Sequence, residues 1–210
     1  MITFMKHVKK FLNAKEIPQC GVLHYRGDGR VYAVNGSSMI WAQHGSNKVV
    51  GMVDPKTGEI VEYAELTPEK FVPEITANST CAQLNDKAIA RLLTVARTVK
   101  ALNGSGAYLA LVWDRYHGLH VAVYGGSIEK LYYYVTTEPL NMVGKRVYGM
   151  YDAQLLSNVI TYIKDRDEDA ALYAPARENK PLLITTAHGG AVLMPVRNVT
   201  NAAAYADLAS

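Results

Sequence analysis

Two amphipathic helical segments, each trailed by short strand-like runs, constrain this chain most. The first, from about residue 85 to 102, places Ala88, Ile89, Leu92, Val95, Ala96 and Val99 in one apolar stripe. Asn103-Gly-Ser-Gly106 supplies its stop signal. The second opens on Asp152, a preferred N-cap residue, and carries Leu155, Leu156, Val159, Ile160 and Ile163 on its apolar side. A charged turn, Asp165-Arg-Asp-Glu-Asp169, follows it. Strand-like runs at 107–113, 119–124, 130–136 and 145–151 lie between the two helices, and runs at 170–173, 182–185 and 191–194 follow the second. Helix, strands, strand, helix, three strands is a βαβββ-type unit used twice. That order predicts an α+β fold with helices on one face of antiparallel sheets.

The first 75 residues show a similar order once. Residues 2–14 read as a short strand running into a helix, with Phe4, Met5, Val8, Phe11 and Leu12 on one side and Lys6, Lys9 and Lys10 on the other. Pro18 ends that helix or closely follows its end. Strand runs at 21–26 and 30–34 flank Gly27-Asp-Gly29, and Asn35-Gly36 turns the chain into 39–42. Runs at 48–53 and 59–63 flank Asp54-Pro-Lys-Thr-Gly58. Residues 66–75 hold two prolines and no period, so they read as an extended connector, and the domain boundary falls near residue 76. The expected division is a reduced domain at 1–75, a complete one at 76–198 and a tail at 199–210.

Of the 210 residues, 49% are hydrophobic and 20% charged, which permits a large buried core. No apolar run approaches membrane-spanning length, and the lysines of residues 1–10 interrupt any signal-peptide pattern, so the expected location is cytoplasmic. Cys20 and Cys81 lack a CxxC spacing and read as ordinary small buried thiols. No cofactor or metal is implied. His117 and His120 flank a turn near Asp114, but no third ligand is signalled. Gly104-Ser-Gly106 follows a helix instead of preceding one, so it is no phosphate loop, and GxSxG and HExxH are absent. These readings make a non-enzymatic protein.

The closing segments resemble the bacterial DNA polymerase III beta sliding clamp. Tyr148-Gly-Met-Tyr-Asp-Ala-Gln-Leu-Leu-Ser-Asn-Val-Ile-Thr-Tyr-Ile-Lys164 resembles the strand and helix of that family's last domain. Pro181-Leu-Leu-Ile184 sits where its penultimate strand does, and Val192-Leu-Met-Pro-Val-Arg197 resembles its ending. Ala33-Val-Asn-Gly-Ser-Ser-Met39 is similar to a turn of the middle domain, with Ser37 and Ser38 replacing His-Arg. Leu66-Thr-Pro-Glu-Lys-Phe-Val-Pro73 looks like the inter-domain linker, one residue shorter. The resemblance covers the last two of three clamp domains, with the first reduced, as expected of a short phage-encoded or mobile-element relative.

The resemblance implies a processivity factor that encircles or holds duplex DNA non-specifically and docks partner peptides. Helices of such folds face DNA, which assigns Lys6, Lys9, Lys10, Lys87, Arg91, Arg97, Lys100 and Lys164 to phosphate contacts. Solvated lysine-rich helix faces are the plain alternative. The net charge of +3 leans the same way only mildly. An apolar pocket for short linear motifs of a polymerase or another replication protein would be lined by Gly36, Met39, Pro68, Val72, Val192, Met194, Pro195, Val196 and Arg197. A ring of six clamp domains needs three copies of a two-domain chain, a homotrimer. The alternative is a ring-less clamp-fold binding protein that meets replication proteins without encircling DNA; the incomplete first domain argues for it and the basic helices argue against it.

Overall fold

A computed structural model describes residues 1–196, apart from 16, 46–49, 105, 126–127 and 178–179. The chain begins with helix α1 (Ile2–His7), which tightens into a 3-10 turn at Val8–Phe11. No strand precedes it, contrary to the expectation for residues 2–14. Phe4, Val8 and Phe11 recur at helical spacing, and all three are buried, while Lys6, Lys9 and Lys10 are exposed. A second 3-10 turn, Pro18–Gly21, leads into β1 (Leu23–Tyr25), β2 (Arg30–Val34) and β3 (Ser38–Gln43). A small hairpin, β4 (Gly51–Val53) and β5 (Ile60–Val61), folds back onto β1. The connector is not wholly extended: Pro68–Phe71 forms a 3-10 turn with proline at its start, where a missing N–H costs nothing.

The second part carries the repeated unit. β6 (Cys81–Leu84), α2 (Asp86–Asn103), β7 (Tyr108–Asp114), β8 (Gly118–Gly125) and β9 (Ile128–Tyr134) form one copy. β10 (Lys145–Asp152), α3 (Ala153–Arg166), β11 (Ala170–Tyr173), β12 (Leu182–Thr186) and β13 (Gly189–Leu193) form the other. Both helices are capped as the sequence indicates. Asn85 accepts from the Ala88 N–H, Asp152 from the Leu155 N–H, and Gly104 closes α2 at φ +65°.

Each copy lends its first strand to the other. β6 pairs with β11, and β10 with β7, both antiparallel. The strands form a nine-stranded sheet, β5-β4-β1-β2-β3-β13-β12-β11-β6, and a four-stranded sheet, β10-β7-β8-β9. The sheet is continuous between the two parts because β3 pairs with β13, from Ala42 opposite Gly189 to Ser38 opposite Leu193.

Alternate strand residues face the helices, as the two-residue period of a strand requires. Leu23, Val31, Ala33 and Ile40 do so from one part, and Leu109, Leu111, Trp113 and Val121 from the other. With the apolar faces of α1, α2 and α3 they make one continuous core. The opposite face of the large sheet holds a small cluster of Cys20, Tyr32, Val34, Met39, Trp41, Leu183 and Val192. Among the described residues, no helix is long and apolar enough to cross a membrane.

Candidate peptide pocket and basic helix face

Where β3 meets β13, the outer cluster opens into a cavity of about 250 Å³. Asn35 shapes its rim. The Asn35 Oδ1 accepts from the Ser37 N–H at 3.0 Å, the Ser38 N–H at 2.7 Å and the Ser38 hydroxyl at 3.1 Å. This Asx turn holds Gly36 at φ +85°, a left-handed backbone that favours glycine. The Met194 N–H then donates to the Ser37 carbonyl at 2.8 Å and ties the end of β13 to the rim. Met39, opposite Val192 in register, forms the floor.

The linker side of the cavity is pinned by charge. The Arg26 guanidinium donates to Glu69 Oε1 at 2.7 and 3.1 Å and to Glu65 at 3.2 Å. Gln19 reaches the Ala64 carbonyl at 3.2 Å. These contacts hold the linker turn against the first sheet, with Pro68 buried. Leu66 and Phe71 thus become walls, and Ile17 and Cys20 close another side from the turn before β1. Burial pushes the Cys20 thiol above its ordinary value, so it stays protonated and serves as apolar wall.

Of the sequence-assigned pocket residues, Gly36, Met39, Val192 and Met194 line this cavity. Val72 packs against the adjoining cluster, and Pro68 is buried behind it, but neither lines the opening. Pro195 and Val196 turn away. Pro195 sits against Gly149, where a Cβ would come within 2.8 Å of it, and the Val196 N–H donates to the Met150 carbonyl at 2.8 Å. Arg197 lies outside the described residues, as does the tail at 199–210. Leu66 and Phe71 of the linker motif and Val34, Ser37 and Ser38 of the turn motif join the lining, and Ile17 and Cys20 join it without any mark in the sequence.

The basic residues spread over the helix side. Lys9, Lys10, Lys87, Arg97 and Lys164 are exposed. Lys6 is also exposed but bonds Asp165 at 2.6 Å, and the buried His7 meets the same carboxylate at 3.0 Å. The hydrogen bonds from Lys6 and His7 hold the Asp165 carboxyl below its usual range. Lys100 donates to Gln154 of α3, and Arg91 reaches the Val135 carbonyl at 3.4 Å. Asp86, in the first turn of α2, is that helix's only acid.

The histidine turn holds no metal constellation. His117 Nδ1 lies 3.3 Å from Asp114, while His120 is buried between Tyr132 and Tyr134 with ring centroids 6.0 and 5.4 Å away. Among the described residues, no group of three metal-binding side chains converges.

Solved structures of bacterial clamps share this architecture. The beta subunit of DNA polymerase III from Pseudomonas aeruginosa superposes with a TM-score of 0.71 at 14% identity, over 93% of this chain and 63% of that one. The chain has the DNA-clamp fold. The DNA polymerase sliding clamp of Bacillus subtilis gives a TM-score of 0.72 at 8% identity over 93% of this chain. The DNA polymerase III beta chain of Streptococcus pneumoniae gives 0.73 at 9% over 94%. The chain spans 62% of the length of each of these last two. No protein-family model and no curated protein matches it.

Proposed function

We propose that this chain is a non-enzymatic, cytoplasmic, clamp-like DNA-replication factor. The reduced part before residue 76 and the complete part after it together hold duplex DNA through the phosphate backbone, without reading sequence. The cavity at the β3–β13 junction docks a short linear motif of a polymerase or another replication protein. The observation that carries this reading is that cavity. It is apolar, it is framed by the Asn35 turn, the linker and the end of β13, and its volume suits one or two apolar side chains. The helix side supplies the second half of the reading, because Lys9, Lys10, Lys87, Arg97 and Lys164 can contact phosphates wherever they fall along a duplex.

The test is fluorescence polarisation with a labelled short peptide carrying a leucine–phenylalanine pair. Binding that Met194→Lys weakens about tenfold, some 1.4 kcal/mol, is expected. Equal affinity of the variant and the parent removes the pocket from the function.

The ring-less version of this reading is favoured by the first part of the fold. There the hairpin β4–β5 occupies the place beside β1 that β6 occupies beside β11. The place is filled from within the chain instead of by a strand of a second unit.

A further inference from the structure

A second cavity of about 250 Å³ opens on the same outer face of the large sheet. One row of side chains joins it to the first. In register across five strands, Val34 of β2 lies opposite Met39 of β3, Met39 opposite Val192 of β13, Val192 opposite Leu183 of β12, and Leu183 opposite Tyr173 of β11. Val34, Met39 and Val192 line the first cavity, while Leu183 and Tyr173 line the second. Val192 and Tyr173 are two strand intervals apart, roughly 10 Å, which an extended chain covers in about three residues. The linker passes both openings: Leu66 and Phe71 wall the first, Pro73 and Glu74 the second.

The two cavities differ in chemistry. The wall of the first holds no charged side chain. The wall of the second holds one, Glu74, together with the half-buried rings of Tyr148 and Tyr173. Hydrogen bonds fix the chain that carries Glu74. The Thr76 N–H donates to the Ser79 hydroxyl at 2.9 Å, the Ser79 N–H to the Thr76 carbonyl at 3.0 Å, and the Ala174 N–H to the Thr80 carbonyl at 2.9 Å. The Thr80 hydroxyl donates to the Asn141 carbonyl at 2.9 Å. The Glu74 carboxylate itself has no hydrogen-bond or ion-pair partner among the described residues. Linker residues 62–74 hold Glu62, Glu65, Glu69 and Glu74 against Lys70, and Arg26 engages only Glu65 and Glu69. Arg177 and Lys180, in the loop after β11, are exposed and do not line the cavity.

We propose that the second cavity is an arginine site, filled by a side chain of the same partner segment whose apolar residues occupy the first. A guanidinium is planar, stacks on aromatic faces and donates two hydrogen bonds to one carboxylate, so it suits both kinds of group that this wall offers. The unpartnered Glu74 supplies the carboxylate, and Tyr148 and Tyr173 supply the rings. The register row sets the spacing: the arginine stands about three residues from the apolar pair. Because Glu74 is exposed, added salt weakens the preference. The inference rests on the reading of the first cavity as a motif site, and it adds the residue that flanks the apolar pair and its distance from it.

Fluorescence polarisation at low salt tests it, with labelled peptides that keep one leucine–phenylalanine pair and carry arginine, serine or aspartate about three positions before or after it. One of the arginine peptides is expected to bind about fivefold tighter than its serine counterpart, and the aspartate peptides no tighter than serine. Glu74→Gln, at an exposed position, removes the gain, whereas Glu62→Gln, on the same linker but outside the cavity, keeps it. A gain that survives Glu74→Gln, or one lost equally in Glu62→Gln, overturns the proposal. Tighter binding of the aspartate peptides also overturns it and assigns the choice to Arg177 and Lys180. If all the peptides bind equally and Met194→Lys weakens them all, the arginine site alone falls. If none binds, the motif reading falls with it.

Discussion

Residues 81–193 carry the helix-plus-meander unit twice, and α2 and α3 lie side by side over two sheets that exchange first strands. Residues 2–61 carry it once, and α1 has no second helix of its own part beside it. Instead α1 leans across the boundary: Phe4, His7 and Phe11 pack on Tyr162 of α3, and the Tyr162 hydroxyl donates to the Trp41 carbonyl of β3 at 2.6 Å. Burial pushes that phenol up to about 12, so it remains a donor throughout the working range. The difference teaches how the first part is held: the second supplies both a helix contact and a sheet edge. The reduced part is then a dependant of the complete one, and the two should unfold together.

The strongest challenge to that dependence is Phe11→Ala. Phe11 is fully buried where α1, the large sheet and Tyr162 meet. Truncation should cost about 3–5 kcal/mol in urea unfolding and still give a single transition. A second transition appearing in the variant would show that the parts are independent. A gentler probe is Gly190→Ala in β13. A Cβ there would collide with the Trp41 ring and the Ile184 carbonyl, and the carbonyl belongs to backbone that cannot yield. A loss of about 1–3 kcal/mol is expected, confined to the junction and leaving β7–β9 amide protection intact.

What the sequence makes legible follows the same divide. In the complete part, helical periodicity and caps place α2 and α3 closely, because Asn85, Asp152 and Gly104 act within a few residues of themselves. β6 has no such signal. Its four residues carry little period, and they become a strand only by pairing with β11, some 90 residues away. In the reduced part, the sequence places the first helix later and after a strand, since the shortness of α1 leaves the lysine–apolar alternation ambiguous. The pocket is half legible. Gly36 and Met39 follow from the Asn35 turn, and Val192 and Met194 from the last strand. Ile17 and Cys20 have no local signal, and Leu66 and Phe71, though in the linker motif, reach the cavity only once Arg26 has fixed the linker. Pro195 lies against Gly149 and not in the cavity lining, and nothing near it in the chain shows that Gly149 leaves it a seat.

The same comparison can be made on DNA. If both parts hold phosphates, Lys9→Gln/Lys10→Gln in the reduced part and Lys87→Gln/Arg97→Gln in the complete part should each flatten the salt dependence of duplex binding. The expected change in log–log slope is about 0.9 for each phosphate left unneutralised. An effect from the α2 pair alone would confine the DNA path to the complete part.

The smallest expected effect is on the pH dependence of stability, and it reads both parts at once. Each part buries a histidine: His24 in β1, with Nε2 donating to the Gln19 carbonyl at 2.8 Å, and His120 in β8. Burial is the largest cause that holds both below the ordinary 6.5. The unfolded chain therefore binds more protons than the folded one just below 6.5, and stability falls as the pH drops from neutral through that region. His24→Gln and His120→Gln should each lessen this fall in thermal melts taken between neutral and mildly acid pH. Because a dependent part has no melting point of its own, both variants must act on the same midpoint. If His24→Gln alters the pH dependence of an early, separate transition while His120→Gln leaves it untouched, the reduced part opens alone, and its reliance on Tyr162 is too weak to make the two parts one folding unit.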